Sequence, residues 1–428
     1  MFGTFTVYIL TASVVGVTLL LYCPDLVSGF RSPKEKNKQF SPVILIPGDG
    51  GSQLEAKLDK PKTVHMFCDQ KTEGYFNLWL NPGLLFPGAV DCWVDNMRLY
   101  YNKTTRLTQN SPGVHIRVPG FGDTSSVEWL DPSATMPPFI ARFILSAYFV
   151  DIADMLVKEG YTRGKNIRGA PYDFRKAPNE LQSYFDSVKH LVEETYENNA
   201  EAKVTLICHS MGCPITNYFL NQQSQHWKDK YIKTLISLAG AWGGAVKALK
   251  TIASGENLGI IVVSQSALRT EQRTSPSLAY MLPTSKLWSK KDPIVITRER
   301  NYTVEDYYDF FRDIDYLTAY EMFKDNYENA MKSLEAPGVD VHCIHGTNLE
   351  TPEKLDYRDS DTVPDDPPDI INGKGDGTVN AASLSACLQW DYQQKKHVYY
   401  LPIPGMEHMK ILHDKGVIEY IRRVVTLW

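Results

Sequence analysis

The sequence predicts an α/β fold, a mostly parallel sheet with helices on both faces. Three observations carry this. Short apolar runs of strand length recur along the chain, with helical apolar stripes between them. One junction reads strand, then Cys208-His209-Ser210-Met211-Gly212, then helix. The composition is that of an ordinary globular protein, 43% hydrophobic and 22% charged over 428 residues, which excludes disordered, collagenous and coiled-coil classes.

The elements follow in order. Val7 to Leu21 is mostly apolar, and small residues follow at Val27-Ser28-Gly29, so residues 1–29 read as a secretory signal peptide; an uncleaved anchor is the competing reading, since Met1 to Thr6 carries no Lys or Arg. Ser32 to Gln39 is a polar linker. Pro42 to Pro47 is a compact strand ended by Gly48-Asp49-Gly50-Gly51. Asp151 to Glu159 reads as a helix closed by Gly160, and Gln182 to Glu197 carries a helical stripe. Lys203 to Cys208 is a buried-type strand and Met211 to Gln223 a helix that tolerates Pro214 in its first turn. Strands are expected at Tyr231–Ala239, Val339–His345 and His397–Pro402, and a closing amphipathic helix around Ile411–Val425. Residues 66–140, rich in Trp, Gly and Pro, and 241–335 break the alternation and read as insertions. The core is then 42–65, 141–240 and 336–428.

Charge excludes a nucleic-acid partner: Lys+Arg is 45 against Asp+Glu 50, and the basic residues are scattered. Charging all ten histidines turns −5 into about +5, so acidification can reverse the sign. In a secretory chain, Asn102-Lys103-Thr104 and Asn301-Tyr302-Thr303 are glycosylation acceptors. Cys23 leaves with the signal. The other six cysteines partition naturally into two disulfides and two thiols, although the sequence allows other arrangements.

A serine at a sharp strand-to-helix turn presents its hydroxyl at the carboxyl edge of the sheet, where the helix N-terminus favours developing negative charge. Ser210 is the candidate nucleophile, with Cys208 where the usual motif has glycine. The base must follow it in the chain. His408, in Pro404-Gly405-Met406-Glu407-His408, lies on a loop after a strand; His342 and His345 lie in a strand and read as packing residues, and His413 as a solvated one. The acid lies between serine and histidine. Asp376 in Gly375-Asp376-Gly377-Thr378-Val379 sits in a turn pinned by two glycines, unlike the acidic loop Asp356 to Asp369. Two backbone N–H groups must hold the oxyanion: Met211, after the nucleophile, and Asp49, in the glycine loop after the first core strand.

These residues resemble the lecithin:cholesterol acyltransferase family, and within it the lysosomal phospholipase A2 branch. The telling stretches are Ile46–Gly51, Gln53–Pro61, Arg168–Arg175, His209–Gly212 and Gly375–Val379, and the resemblance covers residues 42 to 428. It implies an α/β-hydrolase core with membrane-binding and cap insertions, a triad of Ser210, Asp376 and His408, and an oxyanion hole from Asp49 and Met211. It further implies a phospholipid acyl hydrolase and transacylase needing neither calcium nor another cofactor, working on membranes or lipoprotein surfaces, with a lipid alcohol such as ceramide as acceptor, in the lysosome or secreted. It pairs Cys68 with Cys92 and Cys343 with Cys387, leaving Cys208 and Cys213 free. The family's members bind membrane through the first insertion, so Trp79, Leu80, Leu84, Leu85 and Phe86 are expected to dock on lipid. A secreted phosphatidylcholine-sterol acyltransferase is the second reading, against which the Gln53–Pro61 stretch argues.

Overall fold

The computed structural model describes residues 40–86, 88–132, 146–257 and 264–426, all within the unit Gln39–Trp428. The expected signal segment, Cys23 and the linker Ser32–Gln39 lie outside the described residues, as do 133–140 of the first insertion, 141–145 of the core and 258–263 of the second insertion.

Six strands form the central sheet: β1 (Val43–Ile46), β2 (Ile167–Gly169), β3 (Val204–His209), β4 (Ile232–Leu238), β5 (Asp340–Thr347) and β6 (Val398–Pro404). Their order is β6-β5-β4-β3-β1-β2, and every neighbouring pair is parallel. β1 and β3 are buried along their whole length, which is why β1 reads as an unbroken apolar run and β3 as one interrupted only by Thr205 and His209. Helices α1 (Val150–Lys158), α2 (Gln182–Glu197), α3 (Gly212–Asn221), α4 (Leu317–Lys332) and α5 (Lys415–Thr426) pack around the sheet, α5 on α1 and α4 on α3. α5 begins later than the apolar pattern suggests. Ile411 and Leu412 are buried in a separate 3-10 turn, and the Asp414 carboxylate then accepts the Val417 N–H and starts the helix.

The strand order reverses between β1 and β3. Their carboxyl ends therefore border the crevice where open α/β sheets hold their ligands. The glycine loop leaves β1 there, and Ser210 leaves β3.

The insertions grow from this frame. Leu54–Leu58 pairs with Phe76–Trp79 and Val114–Arg117 in a three-stranded sheet. Arg175, fully buried, grips Asp173 and donates to the Met97 carbonyl at 2.7 Å and the Asn110 amide oxygen at 3.0 Å, fastening the first insertion to the core. A second apolar cluster joins Val246, Leu249 and Ile252 to Phe310, Phe311, Leu355 and Tyr357. The hairpin Leu349–Asp356/Asp369–Gly375 belongs to a four-stranded sheet with Val295–Ile296 and Asn301–Tyr302. So the stretch between β5 and β6 packs partly with the second insertion. Asn102 and Asn301 are both exposed.

Cys68–Cys92 and Cys343–Cys387 are bonded, with Cα atoms 5.4 Å and 6.7 Å apart. Cys208 and Cys213, expected free, are bonded as well, their Cα atoms 5.0 Å apart. The turn at Ser210 folds the start of α3 back beside the end of β3, which brings the two within bridging range without disturbing the turn. Mass mapping of the unreduced protein is expected to find three bridges. Alkylation of Cys208 or Cys213 without prior reduction would contradict the third. Replacing Cys68 and Cys92 together by serine is expected to cost about 2–4 kcal/mol of stability.

Candidate active site

Ser210 has φ +54, the left-handed conformation of a tight elbow. The elbow needs a bare Gly212, because a Cβ there would run into the Pro47 and Ile46 carbonyls of the adjoining loop. Ser210 Oγ lies 2.8 Å from His408 Nε2, and His408 Nδ1 lies 2.7 Å from Asp376 Oδ2. The His408 main-chain N–H also donates to the Asp376 carbonyl at 3.0 Å. Asp376 Oδ1 accepts the Thr378 and Val379 N–H groups at 3.0 and 2.8 Å, as a Gly-Asp-Gly turn permits. Burial favours the neutral acid, but the charge and hydrogen bond of His408 and those N–H donors outweigh it, holding the Asp376 carboxyl below the usual carboxylate range. With Nδ1–H given to Asp376, Nε2 is free to accept the Ser210 proton.

The Met211 and Asp49 N–H groups have no hydrogen-bond partner among the described residues, whereas the Gly48 N–H is taken by Tyr148 Oη. Of the five residues read from sequence, Asp49, Ser210, Met211 and His408 thus border one crevice, and Asp376 stands buried behind His408. His342 and His345 are buried, His342 bonded to Tyr420 Oη at 2.7 Å. His413, expected solvated, sits 3.0 Å from Asp151.

A cavity of about 440 Å³ opens at Ser210. Trp79, Leu80, Leu85, Phe174, Leu278 and Met281 give it an apolar wall. This corrects the docking expectation for part of the first insertion. Leu80 is 6% exposed and Leu85 2%, and the Trp79 indole N–H donates to the Gly50 carbonyl at 2.7 Å. An apolar loop reads alike in sequence whether it meets lipid or lines a cavity. Leu84 is half-buried, and Phe86 alone of the five is exposed, at 54%. Sequence reasoning missed Met66 and Phe67, beside Cys68, which are 84% and 79% exposed. It also missed two carboxyls on the cavity wall. Asp49 lines the mouth of the cavity, where desolvation by the surrounding wall pushes its carboxyl up to about 7 against the Gly50 N–H. Burial pushes Glu271 up to about 8, partly offset by Arg175.

A parallel sheet of this order, with a serine elbow at its switch point, a histidine after its last strand and an aspartate brought to that histidine by a hairpin turn, defines an α/β-hydrolase. The family model described as lecithin:cholesterol acyltransferase matches residues 75–335 and 317–415. The chain belongs to the lecithin:cholesterol acyltransferase family. It is 43% identical over 410 residues to "Lysosomal phospholipase A and acyltransferase" of Mus musculus, covering 96% of each chain. It is 44% identical to the Homo sapiens protein of the same name, covering 95% of this chain and 93% of that one. It is also 44% identical to "Phosphatidylcholine-sterol acyltransferase" of Gallus gallus, covering 92% of this chain and 95% of the relative.

Proposed function

We propose that the protein is a calcium-independent phospholipase A-type acyl hydrolase and transacylase, working at membrane surfaces in an acidic compartment such as the lysosome and through a Ser210–His408–Asp376 acyl-enzyme. The observation that carries this reading is the hydrogen-bonded chain from Asp376 through His408 to Ser210, opening into an apolar cavity beside two free N–H groups. Ser210 Oγ attacks the acyl carbonyl as its proton passes to His408 Nε2. The oxyanion rests on the Asp49 and Met211 N–H groups. The proton then goes to the departing glycerol oxygen, leaving a lysophospholipid and an acyl-serine. Water, or a lipid alcohol such as ceramide, gives its proton to His408 and takes the acyl group, restoring Ser210.

Two carboxyls support the acid side of the reading. Below about pH 7, Asp49 and Glu271 are protonated and the cavity carries less negative charge where the oxyanion forms. Acidification adds fewer positive charges than ten histidines suggest. Burial holds His209 down to about 3 and His342 to about 4, and keeps His345 below its ordinary value as well. Apolar contact must therefore supply more of the docking, and Met66, Phe67 and Phe86 are the side chains exposed for it. No described helix is long and apolar enough to cross a membrane.

Product analysis on phospholipid vesicles near pH 5, with and without ceramide, tests the reading. Fatty acid, and acylceramide when ceramide is present, are expected. Acylation of an added sterol instead would favour the second reading, for which the Gallus gallus relative's name speaks. A Met66→Ser/Phe67→Ser protein is expected to lose most vesicle hydrolysis, since each large apolar side chain buried in lipid contributes about 1.5–3 kcal/mol. It should keep its turnover of a soluble short-chain ester. Unchanged vesicle hydrolysis would remove these two from the docking surface.

A further inference from the structure

We propose that Tyr148 and His209 are positioning residues for this acyl transfer: a one-way chain of hydrogen bonds through their side chains ties the oxyanion loop to the loop that carries the base. The proposal rests on the Ser210–His408–Asp376 reading.

The Gly48 N–H lies 2.9 Å from Tyr148 Oη, Tyr148 Oη lies 2.6 Å from His209 Nδ1, and His209 Nε2 lies 3.0 Å from the His408 carbonyl oxygen. The ends fix the direction. A main-chain N–H can only donate and a carbonyl can only accept. Tyr148 Oη therefore takes the Gly48 proton and gives its own to Nδ1, and Nε2 must carry the ring proton that reaches His408. One tautomer of a neutral imidazole satisfies every partner. Both side chains are buried. Burial, with the neighbouring His408 adding to it, holds His209 down to about 3, and burial keeps the Tyr148 hydroxyl above its ordinary range, so both stay neutral across the acid range.

Each joint of the chain abuts a reacting group. Gly48 precedes Asp49, His209 precedes Ser210, and the last acceptor is the backbone of the base. The His209 ring stands 4.9 Å from that of His408 and edge-on to Tyr148 at 5.4 Å. The loop has no room to drift, since a Cβ on Gly48 would come within 2.8 Å of Ser210 Cβ and 3.3 Å of Tyr148 Oη. The distance from oxyanion donor to base is thus held by two side chains that border the cavity but spend their polar atoms on one another and on the two loops.

Two measurements test this. In ¹⁵N-histidine-labelled full-length protein at pH 5, the resonance missing from the His209→Asn variant should report a neutral ring protonated at Nε2. A ring protonated at Nδ1, or at both nitrogens, overturns the chain. Tyr148→Phe removes only the hydroxyl, and kcat on a soluble ester should fall roughly ten- to hundredfold, as for a small misplacement of reacting groups. KM should stay within about twofold, since the Phe ring keeps the apolar cavity wall that Tyr148 provides. His209→Leu should fall similarly, and the double variant no further than the worse single, because either change breaks the same chain. Rates are taken per Ser210 labelled by a fluorophosphonate. Normal turnover in Tyr148→Phe, or losses that multiply, sink the proposal; if that variant does not fold, the tautomer in the unaltered protein decides. An unaltered protein whose Ser210 takes no label would instead sink the triad reading on which the proposal rests.

Discussion

Ser210→Ala, Asp376→Asn and His408→Ala are each expected to lower ester turnover by several orders of magnitude in protein that remains folded. The three act in series, so removing any one forfeits most of what the set supplies. Asp376→Asn separates geometry from charge. The amide fits the same turn, but it can present N–H where the carboxylate accepted the His408 Nδ1 proton. The ring then favours the tautomer with Nε2 protonated, which cannot take the Ser210 proton, and a loss of about 10⁴ follows. His408→Ala tests the choice of base. His345, on the adjoining strand β5, is buried with Nδ1 2.9 Å from the Gly346 carbonyl and is not placed to replace it. Near-normal turnover in His408→Ala, measured on a soluble ester with the melting temperature as the folding control, would show that another group is the base.

Gly346→Ala is expected to be among the most damaging changes that leave every reacting group chemically intact. Gly346 lies in β5 with no strain in its backbone; what it lacks is space. A Cβ there would overlap the Met406 carbonyl oxygen and come within 3.0 Å of Asp376 Cβ. Met406 is two residues before His408, on a loop held to β5 by the Gly405 N–H and the Thr347 carbonyl at 2.8 Å. The methyl must push this loop off the sheet, moving the base away from both its partners. Overpacking of this kind costs about 1–3 kcal/mol of stability. A displacement near 1 Å costs roughly a hundredfold in rate. Turnover and melting temperature should therefore both fall, with turnover the more affected. A Gly346→Ala protein with unaltered kcat would mean that the loop yields without carrying His408 with it.

Much of this site was legible before any coordinates. β1 and β3 announced themselves as largely apolar runs because both faces are covered. The elbow was marked by a strand, a serine and a glycine at fixed spacing. Asp376 stood out because a carboxylate between two glycines has its neighbours' N–H groups to accept. The remainder depended on approach in space. The Cys208–Cys213 bond needed the chain reversal at Ser210, which no spacing rule supplies. Leu80 and Leu85 have the composition of a lipid-facing loop, and only the fold turns them inward. Tyr148 carries no motif, and its hydroxyl meets His209 across 61 residues of sequence. Val295–Ile296 and Asn301–Tyr302, which complete the four-stranded sheet, are two-residue strands, too short for any alternation to register.

The hairpin that ends at Asp376 draws the acid from a different apolar cluster than the one that roots the serine and the histidine. Leu355 and Tyr357 bury in the second cluster and Thr351 accepts the Gly377 N–H at 2.9 Å, while Val379, across the turn, buries in the first, so the turn around Asp376 is held from both. Ser210 and His408 hang from β3 and β6 of the main sheet. The acid–base register is therefore also a record of how well two cores are seated on one another. Local opening of the smaller core would withdraw the carboxylate and silence the chemistry while most of the protein's hydrogen bonds were still protected from exchange.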